Sequence, residues 1–409
     1  NDNIPAYILI AIIVALFMGL TVSAEEIIRD RKIKKRESFL NLSRSSYLTS
    51  KLLILFGLSA IQTLSFVLIG NLILEVKGVN LMYWGVLFTV SCHANVLGLN
   101  ISSAFNSAVT VYIIIPLLLI PQMILSGAIF DFDKLNHIVS ERGTVPLSAD
   151  IMASRWAYEA ISIEQYKGNP FTEDLFEFEI LESEAKYKNN YLRPELESMI
   201  GVTRLAMESP NDSALNARKE VNLGLLRYAY STDKFLASEF EGKWSDYFSP
   251  NSFTSVKADF LLQKLTEAKQ KYTLQLVAAS DSRDSVLAEI KKTLPEDVRL
   301  YDYQDEYFSE RLHEVMRNES SIDKFIIDKG RIIQVTDPGF QVPLPKENPF
   351  NYRAHFYAPK KYFLGEYWNG FWFNISIVWF MTILLYIALY YEVLSKVIDW
   401  LGNLGGKGD

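Results

Sequence analysis

Long apolar segments with almost no charged residues lie near both ends of this 409-residue chain and flank a charged central region. As a helix rising about 1.5 Å per residue, the first of them, residues 4–22, is long enough to cross a bilayer core of about 30 Å. Four more segments of this type follow, at 52–74, about 81–104, 107–130 and about 369–394. The pattern predicts an α-helical membrane protein with five transmembrane helices.

A short charged loop, residues 23–51, separates the first two predicted spans. It holds eight Lys or Arg against four Asp or Glu, and short positively charged loops stay on the cytoplasmic side of a membrane. Alternation of the later spans then places residues 131–368 outside. The simpler interpretation of the loop is a solvated basic segment. The more specific interpretation is a docking element for a cytoplasmic partner.

Polar residues and prolines interrupt the predicted spans. Pro116 and Pro121 lie in the fourth span, where each removes a backbone donor and is expected to kink or break the helix. A transport path is one interpretation of such positions, with the candidates Asn100, Pro116, Pro121 and Gln122; hydrogen bonding between helices is the other. His93 is the only candidate for an ionisable side chain deep within a predicted span. This argues against a proton-coupled carrier or ion pump.

The apolar pattern divides the chain into four regions. Residues 1–130 hold four spans, and residues 131–167 are predicted external helices, either re-entrant or at the membrane surface, where Trp156 and Tyr158 would suit the interface. Residues 168–366 are predicted to form a soluble, mainly helical extracytoplasmic domain with a small β-hairpin at 324–335. Residues 367–409 hold the last span and a cytoplasmic tail.

Charge and cysteine content limit the partners and the cellular locations that fit this chain. Residues 131–368 carry 30 Lys or Arg against 39 Asp or Glu, which argues against nucleic acid as a partner. Cys92 is the only cysteine, so an external domain without disulfides fits a bacterial inner membrane, with 131–368 in the periplasm. The sequon at Asn318 leaves a eukaryotic setting open. Because the chain begins with Asn and carries no signal-peptide pattern, we expect a piece of a longer protein.

The residues expected of a catalytic centre are scattered. The four histidines lie far apart in the sequence, and His313-Glu314 lacks the second histidine of a zinc-protease helix. No GxxxxGK[ST] phosphate loop is present. We therefore predict no catalytic residue, no metal site and no cofactor in this chain.

Three motifs occur in a recognisable order. In the loop, the pattern E…I…(D/E)R…RE…SY…K is matched by Glu26, Ile27, Arg29, Asp30, Arg31, Arg36, Glu37, Ser46, Tyr47 and Lys51. Pro121 is followed by Ser126 and Gly127, and an R(Y/W)-x-(Y/F)-E motif is matched by Arg155, Trp156, Tyr158 and Glu159. In these motifs the chain resembles the membrane half of an ATP-binding-cassette exporter of the G subfamily, the White-pigment and multidrug type.

The resemblance implies that the five spans correspond to the second to sixth helices of a six-helix exporter domain working as a dimer. A coupling helix would dock on a nucleotide-binding domain through Glu25, Glu26, Arg29, Asp30, Arg31, Arg36 and Glu37. ATP and Mg would bind on that domain, which lies upstream on the same polypeptide or on a separate subunit. The insertion at 168–366 is far longer than the family's usual outer loop.

Two functions follow as hypotheses. The first is the membrane part of an ATP-driven exporter that moves a lipophilic or amphipathic substrate out of the cytoplasm or inner leaflet. The alternative is a mechanotransmission or envelope scaffold protein, driven by a cytoplasmic ATPase without substrate passing through the spans. In either case an envelope protein is a possible partner for residues 168–366.

Overall fold

The computed structural model describes residues 3–36, 43–130, 132, 141–209 and 211–405. The described helices and strands form two compact units. Unit 1 comprises Asn1–Pro170, Tyr307–Leu312 and Pro359–Asp409, and unit 2 comprises Phe171–Glu306 and His313–Ala358. The predicted mainly helical fold is confirmed, and the strands of the described residues pair in two antiparallel hairpins.

Unit 1 is built on apolar helices. Among the described residues, four helices are long and apolar enough to cross a membrane: α1 (Ile4–Ser23), α3 (Arg44–Ile73), α4 (Asn80–Ala104) and α15 (Gly370–Tyr390). They overlap the first, second, third and fifth predicted spans, although α3 begins at Arg44, within the predicted loop 23–51. A fifth apolar helix, α5 (Ala108–Ile124), is shorter than the predicted 107–130. Other helices that the structure describes in this unit are α2 (Glu26–Arg36), α6 (Leu147–Asp150), α7 (Ala153–Lys167) and α16 (Val393–Gly405).

The two prolines do not break α5. The helix continues through Pro116 and Pro121, and the Leu125 N–H still donates to the Pro121 carbonyl at 2.9 Å. A break at these residues is therefore excluded, and the other expected outcome, a kink, stays a prediction. Each proline removes only one N–H donor, and a membrane helix tolerates that loss where other groups satisfy the freed carbonyls.

Small residues bring α1 and α4 into close contact. Along α1 they recur every fourth position and are all buried, at Ala11, Ala15, Gly19 and Ser23. A Cβ added at Gly19 would lie 2.6 Å from the Ser91 carbonyl oxygen of α4, and one added at Gly98 would collide with the Ser23 hydroxyl. The spacing of small residues therefore sets the distance between these two helices.

The contacts along the helices give their directions. Tyr7 of α1 stacks on Tyr83 near the start of α4, whereas Ser23 lies beside Gly98 near its end, so α1 and α4 run parallel. Asn100 of α4 reaches the Leu385 carbonyl near the end of α15, so α15 runs the same way. The helices α3 and α5 run in the opposite direction. We call the end of unit 1 at which α2 lies the α2 end and the other the α7 end.

The helix α7 is buried within unit 1, against α1, α4 and α15. Trp156 and Tyr158, expected at the membrane surface, are 1% and 2% exposed and belong to the core instead. Their spacing marks an apolar helix face, but the same spacing serves burial in protein and contact with lipid. A second hairpin, β3 (Lys360–Phe363) with β4 (Glu366–Asn369), leads directly into α15.

Unit 2 is a helical domain around its own apolar core. Its helices include α8 (Phe176–Tyr187), α9 (Arg193–Glu208), α10 (Ser213–Thr232), α11 (Trp244–Phe248) and α12 (Ser255–Thr293). Two short helices, α13 (Leu300–Tyr307) and α14 (Glu310–Arg317), cross the boundaries of the units. The predicted hairpin is confirmed as β1 (Phe325–Asp328) with β2 (Arg331–Gln334).

Local chemistry explains two features of unit 2. Lys329 and Gly330 both have positive φ, as the two-residue turn of a tight hairpin requires. Asn318, the residue of the sequon, donates its side-chain amide to the Val335 carbonyl at 3.1 Å. That amide nitrogen is the atom that a glycan would modify, so the fold already uses the group.

Candidate coupling site

The helix α2 is fixed to α3 by an ionic cluster. Glu26 and Asp30 lie four residues apart and therefore on one face of α2. Both accept from the Lys51 ammonium at 2.7 Å, and the Tyr47 hydroxyl donates to Asp30 at 3.0 Å. We call Glu26, Asp30, Tyr47 and Lys51 the Lys51 cluster. Its charged side chains are 16–20% exposed, so it is partly open to solvent.

The C-terminal end of α4 holds the start of α2. The Ser102 hydroxyl accepts from the backbone N–H groups of Ile27 and Ile28, at 3.0 and 3.2 Å. These are N–H groups of the first turn of α2, which have no partner inside that helix, so Ser102 caps it from another helix. Arg31 in turn donates to the Ser103 carbonyl at 2.7 Å and contacts Asn106. A cation over the last carbonyls of a helix is favourable.

Further contacts extend this site to α15. Arg44, the first residue of α3, donates to the Leu389 carbonyl at 3.1 Å and pairs with Glu392 at 2.8 Å. The α2 end therefore joins α3, α4 and α15 through polar contacts.

The structure separates the predicted docking residues into two groups. Glu26, Asp30 and Arg31 are used in contacts within unit 1, and Glu25 is half-buried. Arg29 pairs with Glu26 but is 67% exposed, and Arg36 is also exposed. Glu37 lies outside the described residues. Arg29 and Arg36 are thus the two described docking candidates that are accessible.

Sequence reasoning did not select Ser102, Asn106 or Arg44 as site residues. The signal for Lys51 was present, because Tyr47 and Lys51 are four residues apart and match the spacing of Glu26 and Asp30. The pairing of Ser102 with α2 could not be predicted, since the two lie about 75 positions apart.

The predicted transport-path residues do not share one location. Asn100 is buried and donates to the Val96 and Leu385 carbonyls, at 2.8 and 3.0 Å. Gln122 is buried on α5 and accepts from the Ser154 N–H of α7 at 3.0 Å. Pro116 is exposed and Pro121 is half-buried. In the structure Asn100 and Gln122 join helices, and a role of the four residues in transport stays a prediction.

A second polar cluster lies at the α7 end and is almost completely buried. Glu159 of α7 is at its centre, with one carboxylate oxygen 2.6 Å from the Lys361 ammonium of β3. Its other oxygen accepts from Asn374 of α15 at 3.2 Å and lies 3.3 Å from Arg155. We call Asp150, Arg155, Glu159, Lys361 and Asn374 the Glu159 cluster.

Burial dominates the electrostatics of the Glu159 cluster. Glu159 and Lys361 have side chains 0% and 1% exposed, and Arg155 stacks on the Trp156 ring with 3.7 Å from the guanidinium carbon to the ring centroid. Burial lowers the pKa of Lys361, and the attraction of Glu159 acts in the opposite direction. The cluster contains two acids and two bases, so its charges balance.

Metal-binding chemistry finds no support in the described part of the chain. There, no group of three or more His, Cys, Asp or Glu side chains is placed to hold a metal ion. The described geometry consists of charge pairs and hydrogen bonds between helices.

An apolar helical bundle with long spanning helices and polar clusters at both ends defines an integral membrane protein. Residues 1–146 match the family model described as ABC-2 type transporter. Membrane domains of this type typically pair with a nucleotide-binding domain. Neither the comparison with curated proteins nor that with solved structures gave a match.

Proposed function

We propose that this chain is the membrane-spanning part of an ATP-driven exporter, and that α2 is the element on which a nucleotide-binding domain docks. The observation that carries the proposal is the arrangement of α2, which is bonded to α3 and α4 on one side and exposes Arg29 and Arg36 on the other. ATP and Mg would act on that domain, not on this chain.

The contacts of α2 support transmission of a movement to the bundle. A displacement of α2 would act on the start of α3 through Lys51 and on the end of α4 through Ser102 and Arg31. Arg44 would carry it on to the end of α15. Packed helices have discrete arrangements, so such a displacement can switch the bundle between inward-open and outward-open states.

A second copy of the chain completes the proposal. The helix α5 exposes a row of large apolar side chains together with Pro116: Val109, Tyr112, Ile113, Leu117 and Ile120. In a dimer this row would face the partner or a path for a lipophilic substrate, which is the arrangement expected of a G-subfamily exporter. In this proposal α5 is the fourth of five spans despite its length of 17 residues.

The same proposal assigns the sides of the membrane. The basic loop 23–51 belongs to the α2 end, which we place in the cytoplasm. Residues 131–368 are then external, in the periplasm of a bacterial inner membrane, where they would act as an adaptor for substrate or for another envelope protein.

Charge reversal at the accessible arginines tests the docking role. In the complete complex reconstituted in lipid, the double change Arg29→Glu and Arg36→Glu should lower ATP-dependent uptake of lipophilic dyes into inverted vesicles about tenfold or more, the equivalent of roughly 1.4 kcal/mol at the docking contact. Reversal of an exposed arginine in unit 2, Arg218→Glu, serves as the matched control and should leave uptake unchanged. Unchanged uptake in the double variant would refute docking through α2.

A mechanotransmission or envelope scaffold protein remains the second candidate function, and one observation favours it. Unit 2 contains α12, a single helix of 39 residues whose last buried residue is Ala279. A helix of that length spans about 58 Å at 1.5 Å per residue and is a rigid arm. If ATP turnover persists in the intact complex while no candidate substrate moves, this alternative gains and the exporter assignment fails.

A further inference from the structure

The helix α16 follows the last span after a tight turn. Two residues separate the end of α15 at Tyr390 from the start of α16 at Val393, and Glu392 between them has a positive φ of 54°. Arg44 holds this turn through Glu392 and the Leu389 carbonyl. At 13 residues α16 would extend only about 20 Å, too short to cross a bilayer.

The described part of α16 has three distinct sides. It packs against α4 and α15, with Leu394 and Ile398 half-buried. Polar residues at Lys396 and Asp399 are exposed on another side. A third side exposes large apolar residues at positions i, i+4 and i+7, which share one helix face: Val393 (44%), Val397 (45%) and Trp400 (61%).

This exposed apolar row follows in sequence on exposed apolar residues at the end of the last span. Ile387, Tyr390 and Tyr391 immediately before it are also exposed. The exposed side chains earlier in α15 belong to a helix apolar enough to span the membrane, so lipid covers them. The exposed apolar residues of α16 follow directly on those of α15, so the same lipid can cover both.

We propose that α16 lies in the membrane surface at the α2 end, with Val393, Val397 and Trp400 inserted at the boundary between lipid headgroups and acyl chains. Tryptophan favours this boundary, and an amphipathic helix binds there through its buried apolar area. The nearby charges of Lys396 and Asp399 cancel, so the helix binds zwitterionic lipid as well as anionic lipid. Through Arg44 and Glu392 this anchor also fixes the start of α3.

Site-directed spin labelling tests the placement, because Cys92 is the only cysteine and is buried. In a Cys92→Ser background, a label at Val397→Cys in the full chain, reconstituted in phosphatidylcholine vesicles, should collide with oxygen more than with a water-soluble nickel complex. A label at Asp399→Cys should show the reverse order. Labels at Val393→Cys and Lys396→Cys repeat the comparison if one variant fails to fold.

Two outcomes would overturn the proposal. A label at 397 that the nickel complex reaches as readily as it reaches the label at 399 would place α16 in water. A label at 397 that neither reagent reaches would show that protein covers the row instead of lipid. The same pattern of accessibility in vesicles containing phosphatidylglycerol is expected, and an insertion seen only with that anionic lipid would contradict the neutral character assigned to the helix.

Discussion

The two polar clusters of unit 1 contain the same chemistry and differ in exposure. At the α2 end, the acids and the lysine of the Lys51 cluster are 16–20% exposed, whereas Glu159 and Lys361 at the α7 end are 0% and 1% exposed. Charges near solvent exchange partners at little cost, because water replaces a lost contact. Charges in the interior depend on every partner, because a buried charge left alone is strongly destabilising.

This difference indicates separate roles for the two ends. Under the proposed function, the α2 end is the element that would rearrange when a partner docks, and its bonds to α3, α4 and α15 would distribute the movement. The Glu159 cluster joins three elements, α7, β3 and α15, through one carboxylate. It has the properties of a fixed point on which helices pivot.

The largest effect is expected from removal of the central carboxylate. Glu159→Gln leaves the cations of Arg155 and Lys361 without their shared acid, and breaking a buried ion pair from one side costs about 3–5 kcal/mol. Thermal unfolding of the protein in detergent micelles, followed by an intrinsic-fluorescence or aggregation readout, measures the loss.

The partly exposed cluster supplies the matched comparison. Lys51→Met removes a lysine that also bridges acidic side chains, yet it should cost only about 1 kcal/mol or less, because solvent screens such pairs. Equal losses for Glu159→Gln and Lys51→Met would show that burial does not distinguish the two clusters.

The next largest loss of stability is expected at the contact between α1 and α4, which connect the α2 end with the α7 end. Gly19→Ala would place a Cβ 2.6 Å from the Ser91 carbonyl oxygen and 2.7 Å from the Ala94 Cβ, so α1 and α4 must move apart. Overpacking of this kind costs about 1–3 kcal/mol. Gly57→Ala on α3, where a Cβ would meet nothing within 4 Å, is the control and should not lower thermal stability. A loss of the same size at both positions would refute the role of close packing.

The division of the predicted docking residues into a group bonded within unit 1 and an accessible group predicts smaller effects. Arg31→Met removes the cation that bonds the end of α4, so both thermal stability and ATP-dependent transport should fall, the first by about 1 kcal/mol. Arg36→Met should lower transport alone, since its side chain is exposed. Loss of stability in the Arg36 variant, measured by the same unfolding assay, would contradict this separation.

Much of unit 1 could be predicted because a bilayer imposes length and polarity on each helix. Residues 4–22 contain no charged residue, and 369–394 contain only Glu392, so their apolar character alone predicts two spans. The hairpin at 324–335 was predictable because Asp328-Lys329-Gly330 supplies residues that accept positive φ between two short β-branched segments. Local chemistry determined these elements.

The remaining features depend on contacts between distant residues. Glu159 and Lys361 are 202 positions apart, and neither residue alone indicates a buried pair. Trp156 has the spacing of an amphipathic helix, which does not distinguish a protein neighbour from lipid. The Lys51 cluster lay within reach of sequence reasoning, since its four residues come from one charged loop, whereas Ser102 entered the site only through the fold.

The smallest expected effect is a dependence of stability on alkaline pH. Burial lowers the pKa of Lys361 in the folded protein below its ordinary value, so between those two values the unfolded chain holds more protons. Stability linked to this group should therefore rise with pH in the window just below about 10.5, the model-peptide value. Thermal unfolding of the native protein and of Lys361→Met across this window measures the contribution of Lys361 as the difference between the two slopes of stability against pH.

If the attraction of Glu159 outweighed burial, the pKa of Lys361 would be raised and the lysine would stay charged. The stability linked to Lys361 would then be lost as pH rises further. A slope difference of that opposite sign would show that the pair, and not its burial, controls the charge at the α7 end.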